Sequence, residues 1–387
     1  MKVLLTGGGT GGHITPLLAV AQALKATDPN IQIIYVGERG SKFADLTKGN
    51  PLFDAQYAIS AGKFRRYHGE SWLRRIFAVK TNLQNIRDAF LTLAGIFQSK
   101  RIVHKEKPDV IFLKGGFVGV PVGLAAASKH IPFVTHDSDA VPGLANRLVG
   151  RWATKHATGM PISFYNYPEA KATHVGVLVG DMYHFVTPEA SNSYRKDLNV
   201  PQKNLVLTVT GGSLGSARLN TAMTAIVTRL LHDYPNLTIV HQVGKGNSKI
   251  YDPFTDERLQ VLEFLSGMHR YTGMADVIVT RAGANTLAEL GVQGKAIVVV
   301  PNPLLTGGHQ LKNAAHLAEA GATLVVNEQE MVDKQGRPLD QAIRSLLDNP
   351  EERARLSRVL HEITIPDASQ KLAQLLLQVS GQGNGED

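Results

Sequence analysis

His13 stands at the end of a glycine cluster, Gly7-Gly-Gly-Thr-Gly-Gly12, that follows an apolar run, Lys2-Val-Leu-Leu-Thr6. Imidazole titrates near neutral pH, so a histidine where a loop feeds a helix can accept a proton. The positive end of the helix dipole keeps such a ring neutral. The same placement suits a second role, a hydrogen bond to a phosphate. Glycine lets backbone amides approach an anion, and the first helical turn adds unpaired N–H groups. Both roles are open for His13. A second run, Leu205–Val209, ends in the same way at Thr210-Gly-Gly-Ser-Leu-Gly-Ser-Ala-Arg218. Two such junctions in one chain point to two nucleotide-fold domains facing one cleft.

Other segments carry similar chemistry. Arg281-Ala-Gly-Ala-Asn-Thr-Leu-Ala-Glu289 follows an apolar run and predicts a helix starting near Asn285 or Thr286. Its free amides can hold a pyrophosphate without metal, and Glu289 can accept two hydroxyls of a ribose diol. Taken alone, Glu289 also reads as a first-turn acid that answers the helix dipole. In Pro301–Gln310 the Gln310 amide both donates and accepts, as recognition of sugar hydroxyls requires. Asp137-Ser-Asp139 has the D-x-D form that holds a divalent ion through carboxylates. Gly7, Gly9 and Gly12 fit the dinucleotide fingerprint, with Glu38 beyond. A Rossmann dehydrogenase is therefore weighed. Against it stand His13 and Pro16 at the helix entry, the second glycine loop, and the lack of a hydride-transfer set. No P-loop motif is present.

These residues need rigid elements to hold them. Short β-rich runs alternate with amphipathic stretches: Val3–Thr6, Ile31–Val36, Val110–Leu113, Pro132–Thr135 and Thr173–Val177 in one set. Leu205–Thr210, Thr238–Gln242, Val277–Thr280, Ala296–Val300 and Thr323–Val326 form the other. Helices are predicted at Leu17–Ala26, Asn220–Leu231, Thr286–Leu290 and Leu311–Glu319. Alternation of this kind predicts an α/β protein with parallel sheets. Pro161, Asn166 and Pro168 break the pattern, which sets the expected domains at residues 1–163 and 164–365. Residues 366–387 are expected to be a C-terminal helix and tail packing back on the first domain.

The chain has 387 residues, enough for two cores, and no cysteine, which removes disulfides and thiol chemistry. No bilayer-spanning run and no signal peptide are read. The net charge of +8 is concentrated: Gly62–Lys107 has eleven Lys and Arg against three Asp and Glu. Phe64, Tyr67, Trp72, Leu73, Ile76 and Phe77 lie among them. Basic and aromatic residues interleaved in this way suit an anionic lipid surface. A solvated basic helix face or a nucleic-acid patch are the competing readings.

The segments together resemble the MurG family of bacterial glycosyltransferases. The carriers are Gly8–Pro16, Lys114–Pro121, His136 with Val141–Arg147, Gly211–Asn220, Glu263–Met268, Arg281–Glu289 and His309–Ala314. The resemblance implies two Rossmann-like domains with parallel sheets facing a cleft, the GT-B arrangement. It implies transfer of N-acetylglucosamine from UDP-N-acetylglucosamine, with inversion, to lipid I, an undecaprenyl-pyrophosphoryl acceptor. Thr10, Gly11, Gly12, Gly115 and Gly116 would meet the acceptor pyrophosphate. Ser213, Leu214 and Gly215 would meet the donor phosphates, Leu265 the uridine, Glu289 the ribose, and Gln310 the sugar. Arg281, Ala284 and His309 complete the donor set. His13, Asp139 and His136 are the candidates for proton transfer. No cofactor is implied, nucleic acid drops out as a partner, and Gly62–Lys107 would dock the protein on the cytoplasmic face of the membrane.

Two departures from the family pattern lie among these residues. The family reads His-Glu-Gln-Asn where this chain has His136-Asp-Ser-Asp139, so Asp139 replaces an asparagine that touches the donor sugar. The Gly-Asn-Pro-Val-Arg motif is Gly176-Val-Leu-Val-Gly180 here, which removes a phosphate-side arginine. Both leave open a related GT-B transferase with another donor or acceptor, a UDP-sugar epimerase of the same fold, or a divalent ion at Asp137 and Asp139.

Overall fold

A computed structural model describes residues 1–9, 11–42, 44–63, 79–212 and 214–382. The chain begins with β1 (Lys2–Thr6), α1 (Gly11–Thr27), β2 (Gln32–Glu38) and β3 (Ala55–Ile59). α2 (Val79–Glu106), β4 (Val110–Leu113), α3 (Gly119–Ser128), β5 (Phe133–Asp137), α4 (Leu144–Val149), β6 (Lys155–Thr158) and β7 (Ala172–His174) follow. A second series has α5 (Pro188–Asp197), β8 (Leu205–Thr210), α6 (Ala217–Asp233), β9 (Leu237–Gln242), β10 (Leu259–Leu262), α7 (Met268–Gly273) and β11 (Val277–Thr280). It continues with α8 (Ala284–Val292), β12 (Ile297–Val299), α9 (His309–Glu319), β13 (Leu324–Val325), α10 (Glu328–Asp333), α11 (Arg337–Leu347) and α12 (Pro350–Ile363). Last comes α13 (Ala368–Gln382).

Among the described residues the first sheet runs β3-β2-β1-β4-β5-β6-β7 and the second β10-β9-β8-β11-β12-β13. The pairings are parallel, as in Thr6 with Val36 and Thr280 with Thr210. Val3, Leu4 and Leu5 are fully buried, since a central parallel strand is covered on both faces and has no polar side. In each sheet the strand order reverses once, between β1 and β4 and between β8 and β11. The loops leaving such a pair diverge and open a crevice at the carboxyl ends of the strands. Gly7–Gly9 and Gly115–Gly116 leave the first pair, and Gly211–Gly212 with Leu214–Ser216, and Arg281–Gly283, leave the second. The fold is α/β with two Rossmann-like halves.

The contacts divide the chain into Met1–Gly180 with Asp367–Asp387, and Asp181–Pro366. The division falls later than the 163/164 expected from the prolines, because β7 lies beyond them and still pairs with β6. Pro161 and Pro168 sit in irregular chain between those two strands. α13 belongs to the first unit and packs on α1 and β4. Its Leu372, Ala373, Leu376 and Val379 are buried. Leu376→Ala is expected to cost about 2–5 kcal/mol of first-unit stability, read by urea denaturation.

β3, β6 and β10 were not expected. β6, Lys-His-Ala-Thr, has almost no apolar signal and is a strand because β5 and β7 flank it. β3 and β10 are edge strands of five and four residues. α1 starts at Gly11, ahead of the expected Leu17, and carries Pro16 inside it. His13 therefore lies in the first turn, where amide groups have no helical acceptor.

Candidate functional site

In the first unit a cavity of about 260 Å³ is lined by His13, Lys63, Thr92, Gly116, Phe117 and Leu148, among others. Gly116 has φ +75°, and a Cβ there would lie 2.4 Å from the Gly8 carbonyl oxygen and 3.3 Å from His13 Nδ1. Only glycine lets the two loops meet so closely. The His13 ring hydrogen-bonds the Gly8 backbone carbonyl. Nδ1 faces that side, while a Cβ at Gly115 would be 4.0 Å from Nε2. The ring nitrogen that does not serve the Gly8 carbonyl carries the lone pair of the neutral imidazole. Burial pushes the imidazole pKa down to about 4, the Lys114 ammonium adds to this, and the Gly8 bond and Asp139 oppose it. His13 is thus neutral at pH 7, as a proton acceptor must be.

Lys114 was not singled out from the sequence. It directly follows β4, is buried, and donates from Nζ to Ser138 Oγ at 2.7 Å. Burial pushes its ammonium down to about 8, against the pull of Asp137 and Asp139. A lysine directly before two glycines and after a buried strand was the available signal. Its partners come from the loop after β5, and no spacing rule connects those segments.

One expectation in this unit, His136 in proton transfer, is corrected, and the D-x-D alternative loses its first carboxylate. His136 is buried within β5, and its Nε2 lies 2.9 Å from the Gly176 carbonyl oxygen. Burial first, then Lys114, holds its pKa well below the usual range. It ties β5 to the Gly176 turn and has no exposed nitrogen for substrate. Asp137 is also spent internally: Oδ1 accepts from Gly143 N at 2.8 Å and Asn146 Nδ2 at 3.0 Å, and Oδ2 from Tyr167 Oη at 2.6 Å. That set takes Asp137 out of the D-x-D pair. Asp139 lies in the following loop, half-buried, and its charge acts on both His13 and Lys114.

Gly11 and Gly12 form the first turn of α1 directly before His13, and of the two glycines after β4, Gly116 lines the His13 cavity while Gly115 adjoins the ring. Thr10 and Ser213 lie outside the described residues, as do Phe64, Tyr67, Trp72, Leu73, Ile76 and Phe77.

In the second unit a cavity of about 460 Å³ collects Gly211, Leu214, Gly215, Arg218, Arg281 and Gln310. Gly215 has φ +74°, and a Cβ there would be 2.5 Å from the Val243 carbonyl oxygen, so this loop also needs glycine. Ser216 caps α6, accepting from Leu219 N. Arg281 is an internal tie: Nη1 donates to Val300 O at 3.0 Å, and Nη2 to Ser216 Oγ at 2.5 Å and to Glu328. Gln310 is buried, and its Oε1 accepts from Asn302 N at 2.9 Å, which leaves the amide NH2 for a ligand.

Leu265, Ala284, Glu289 and His309 do not line that cavity. Leu265 and Ala284 are buried, so a ligand would meet their backbone, while neighbouring Phe264 is 65% exposed. His309 opens α9. Glu289, half-buried in α8, accepts a hydrogen bond from the Tyr183 hydroxyl. Burial raises its carboxyl pKa to about 8. Tyr183 was not expected, since it lies far from Glu289 in sequence.

The Glycosyltransferase family 28 N-terminal domain matches residues 3–158 and the C-terminal domain residues 206–372. A protein of Lachnospira eligens is 35% identical over 85% of this chain and 87% of its own length. It is named UDP-N-acetylglucosamine--N-acetylmuramyl-(pentapeptide) pyrophosphoryl-undecaprenol N-acetylglucosamine transferase. The crystal structure of MurG from Acinetobacter baumannii superposes with a TM-score of 0.71 at 26% identity, covering 97% of this chain and 99% of that one. A putative UDP-N-acetylglucosamine 2-epimerase of Listeria monocytogenes has a TM-score of 0.66 at 13% identity, covering 96% and 94%, and shares the fold alone. With matches to both halves and a relative spanning most of its length, the chain belongs to the MurG family of glycosyltransferases, within glycosyltransferase family 28.

Proposed function

We infer that this protein transfers N-acetylglucosamine from UDP-N-acetylglucosamine to an N-acetylmuramyl-pyrophosphoryl-undecaprenol acceptor, a step of peptidoglycan synthesis. The observation that carries the reading is the 35% identity, along most of the chain, to a transferase of that name. The epimerase shares the same architecture at only 13% identity, so sequence identity and not fold separates the two readings.

The reaction is a displacement at the anomeric carbon. The acceptor oxygen forms a bond to C1, the bond from C1 to the β-phosphate oxygen breaks, and configuration inverts. His13 takes the hydroxyl proton and returns it to solvent. UDP leaves with the electron pair, and its charge falls on the amides of the Gly211–Gly215 loop and the first turn of α6. Gly8–Gly12 and Gly115–Gly116 are assigned to the acceptor pyrophosphate, Glu289 to the ribose, and Gln310 to the sugar. Asp139 is the second candidate base. Thermal shift tests the donor: saturating UDP or UDP-N-acetylglucosamine at about 100 Kd adds roughly 2.7 kcal/mol, and NAD adds none. Stabilisation by NAD and not by UDP contradicts the reading.

The same reading puts the enzyme at a membrane surface. Among the described residues no helix is long and apolar enough to cross a membrane. Leu83, Ile86, Phe90, Leu93 and Phe97 recur every three or four positions of α2 and are all exposed, Phe90 and Phe97 by 67% each. Arg87, Lys100, Arg101 and Lys105 lie on the same helix. An exposed apolar row with basic neighbours fits the interface of an anionic bilayer. The double substitution Phe90→Asp and Phe97→Asp is expected to cut binding to phosphatidylglycerol vesicles at least about tenfold in cosedimentation. Unchanged binding would count against docking through α2.

A further inference from the structure

We propose that Arg218 binds the diphosphate of the nucleotide-sugar, held for that task by the buried carboxylate of Glu328. The inference rests on the donor reading above and adds a residue to it.

A diphosphate seated on the second glycine loop brings negative charge that a neighbouring cation must offset. Two arginines line the cavity at that loop. Arg281 is not available: its guanidinium is divided among Val300 O, Ser216 Oγ and Glu328, and its side chain is 10% exposed. Those bonds pin the loop and the start of α6 to Val300, the residue after β12.

Arg218 differs on each count. It sits in the first turn of α6, beside the glycines, and its side chain is 42% exposed. Nη1 donates to Glu328 Oε2 at 2.7 Å. A guanidinium has five N–H donors in a planar fork, and among the described residues one of them has this acceptor. The rest of the fork is open to a ligand in the cavity. Glu328 is 1% exposed, with Arg281 on Oε1 and Arg218 on Oε2. A buried carboxylate between two guanidiniums leaves the trio net positive and fixes the orientation of the exposed one. That combination of a fixed fork, residual positive charge and adjacent loop amides suits a phosphate, since arginine matches phosphate oxygens with paired donors. The position also complements the helix end: α6 directs unpaired amides into the same cavity.

The test is calorimetry with UDP and with uridine on wild type, Arg218→Gln and Arg218→Lys, beside a melting curve for each. Arg218→Gln is expected to weaken UDP roughly 10- to 100-fold and to leave uridine unchanged, with a cooperative melting transition lowered only by the lost Glu328 contact. Arg218→Lys, which keeps the charge but loses the fork, is expected to fall between. If UDP binds Arg218→Gln within about twofold of wild type, the proposal is overturned and the donor reading stands. A parallel loss of uridine and UDP binding also overturns it, because that pattern marks a residue that only supports the fold. If wild type binds no UDP, the donor reading falls and this proposal with it.

Discussion

His13→Ala is expected to lower kcat about 100- to 10,000-fold, with KM for the donor changed by less than about threefold. The ring is neutral because burial and Lys114 push its pKa to about 4. A base loses function only when protonated, so the wild-type rate should be flat from neutral pH down to about pH 5 and fall below it. Removing Lys114 weakens one of the two forces holding that pKa down, so the acidic limb should move upward in Lys114→Met. Steady-state kinetics across pH checks both statements. If His13→Ala keeps near-wild-type kcat and Asp139→Asn does not, the proton goes to Asp139 instead. If His13→Ala raises acceptor KM at constant kcat, His13 is a phosphate ligand.

Glu289→Gln is expected to weaken UDP roughly 10- to 100-fold at about pH 8 and to abolish the pH dependence of binding. The carboxyl has its pKa raised to about 8 by burial, with the Tyr183 hydroxyl as its donor. In the unliganded protein it is therefore protonated at neutral pH. Ribose hydroxyls donate best to the charged form, so binding favours loss of the proton. The sign follows: wild-type affinity rises as pH increases from about 6 to 8 and levels off above the free-state pKa. UDP binding at pH 7 then releases a proton, which calorimetry in buffers of different ionisation enthalpy reads directly. Affinity that is flat from about pH 6 to 9, with no proton released, would remove Glu289 from the ribose role.

How much of this was legible in the sequence depended on where the information lies. Central strands such as β1, β4, β8 and β11 are continuous apolar runs, because a strand buried on both faces has no polar side to show. β6 has no such run, being specified by its neighbours, so local pattern missed it. The glycine loops were legible because a positive φ and a close backbone approach admit one residue type. Side-chain partnerships were not. Asp137-Ser-Asp139 looked like a metal pair until Gly143, Asn146 and Tyr167 proved to fill the Asp137 carboxylate. Arg281 reads as a ligand residue and is a tie between Val300, the cap of α6 and Glu328. Tyr183, Lys114 and Arg218 gain meaning only from residues distant in the chain, which no spacing encodes.

The central claim is that this chain moves N-acetylglucosamine from UDP onto a lipid-linked muramyl acceptor. The measurement that tests it most directly is transfer of labelled N-acetylglucosamine from UDP-N-acetylglucosamine to a lipid I analogue, with and without magnesium. The account predicts a labelled disaccharide product of inverted anomeric configuration and UDP released in equal amount, both dependent on the acceptor. Conversion of the donor to its 2-epimer, or release of UDP at the same rate without acceptor, would contradict it.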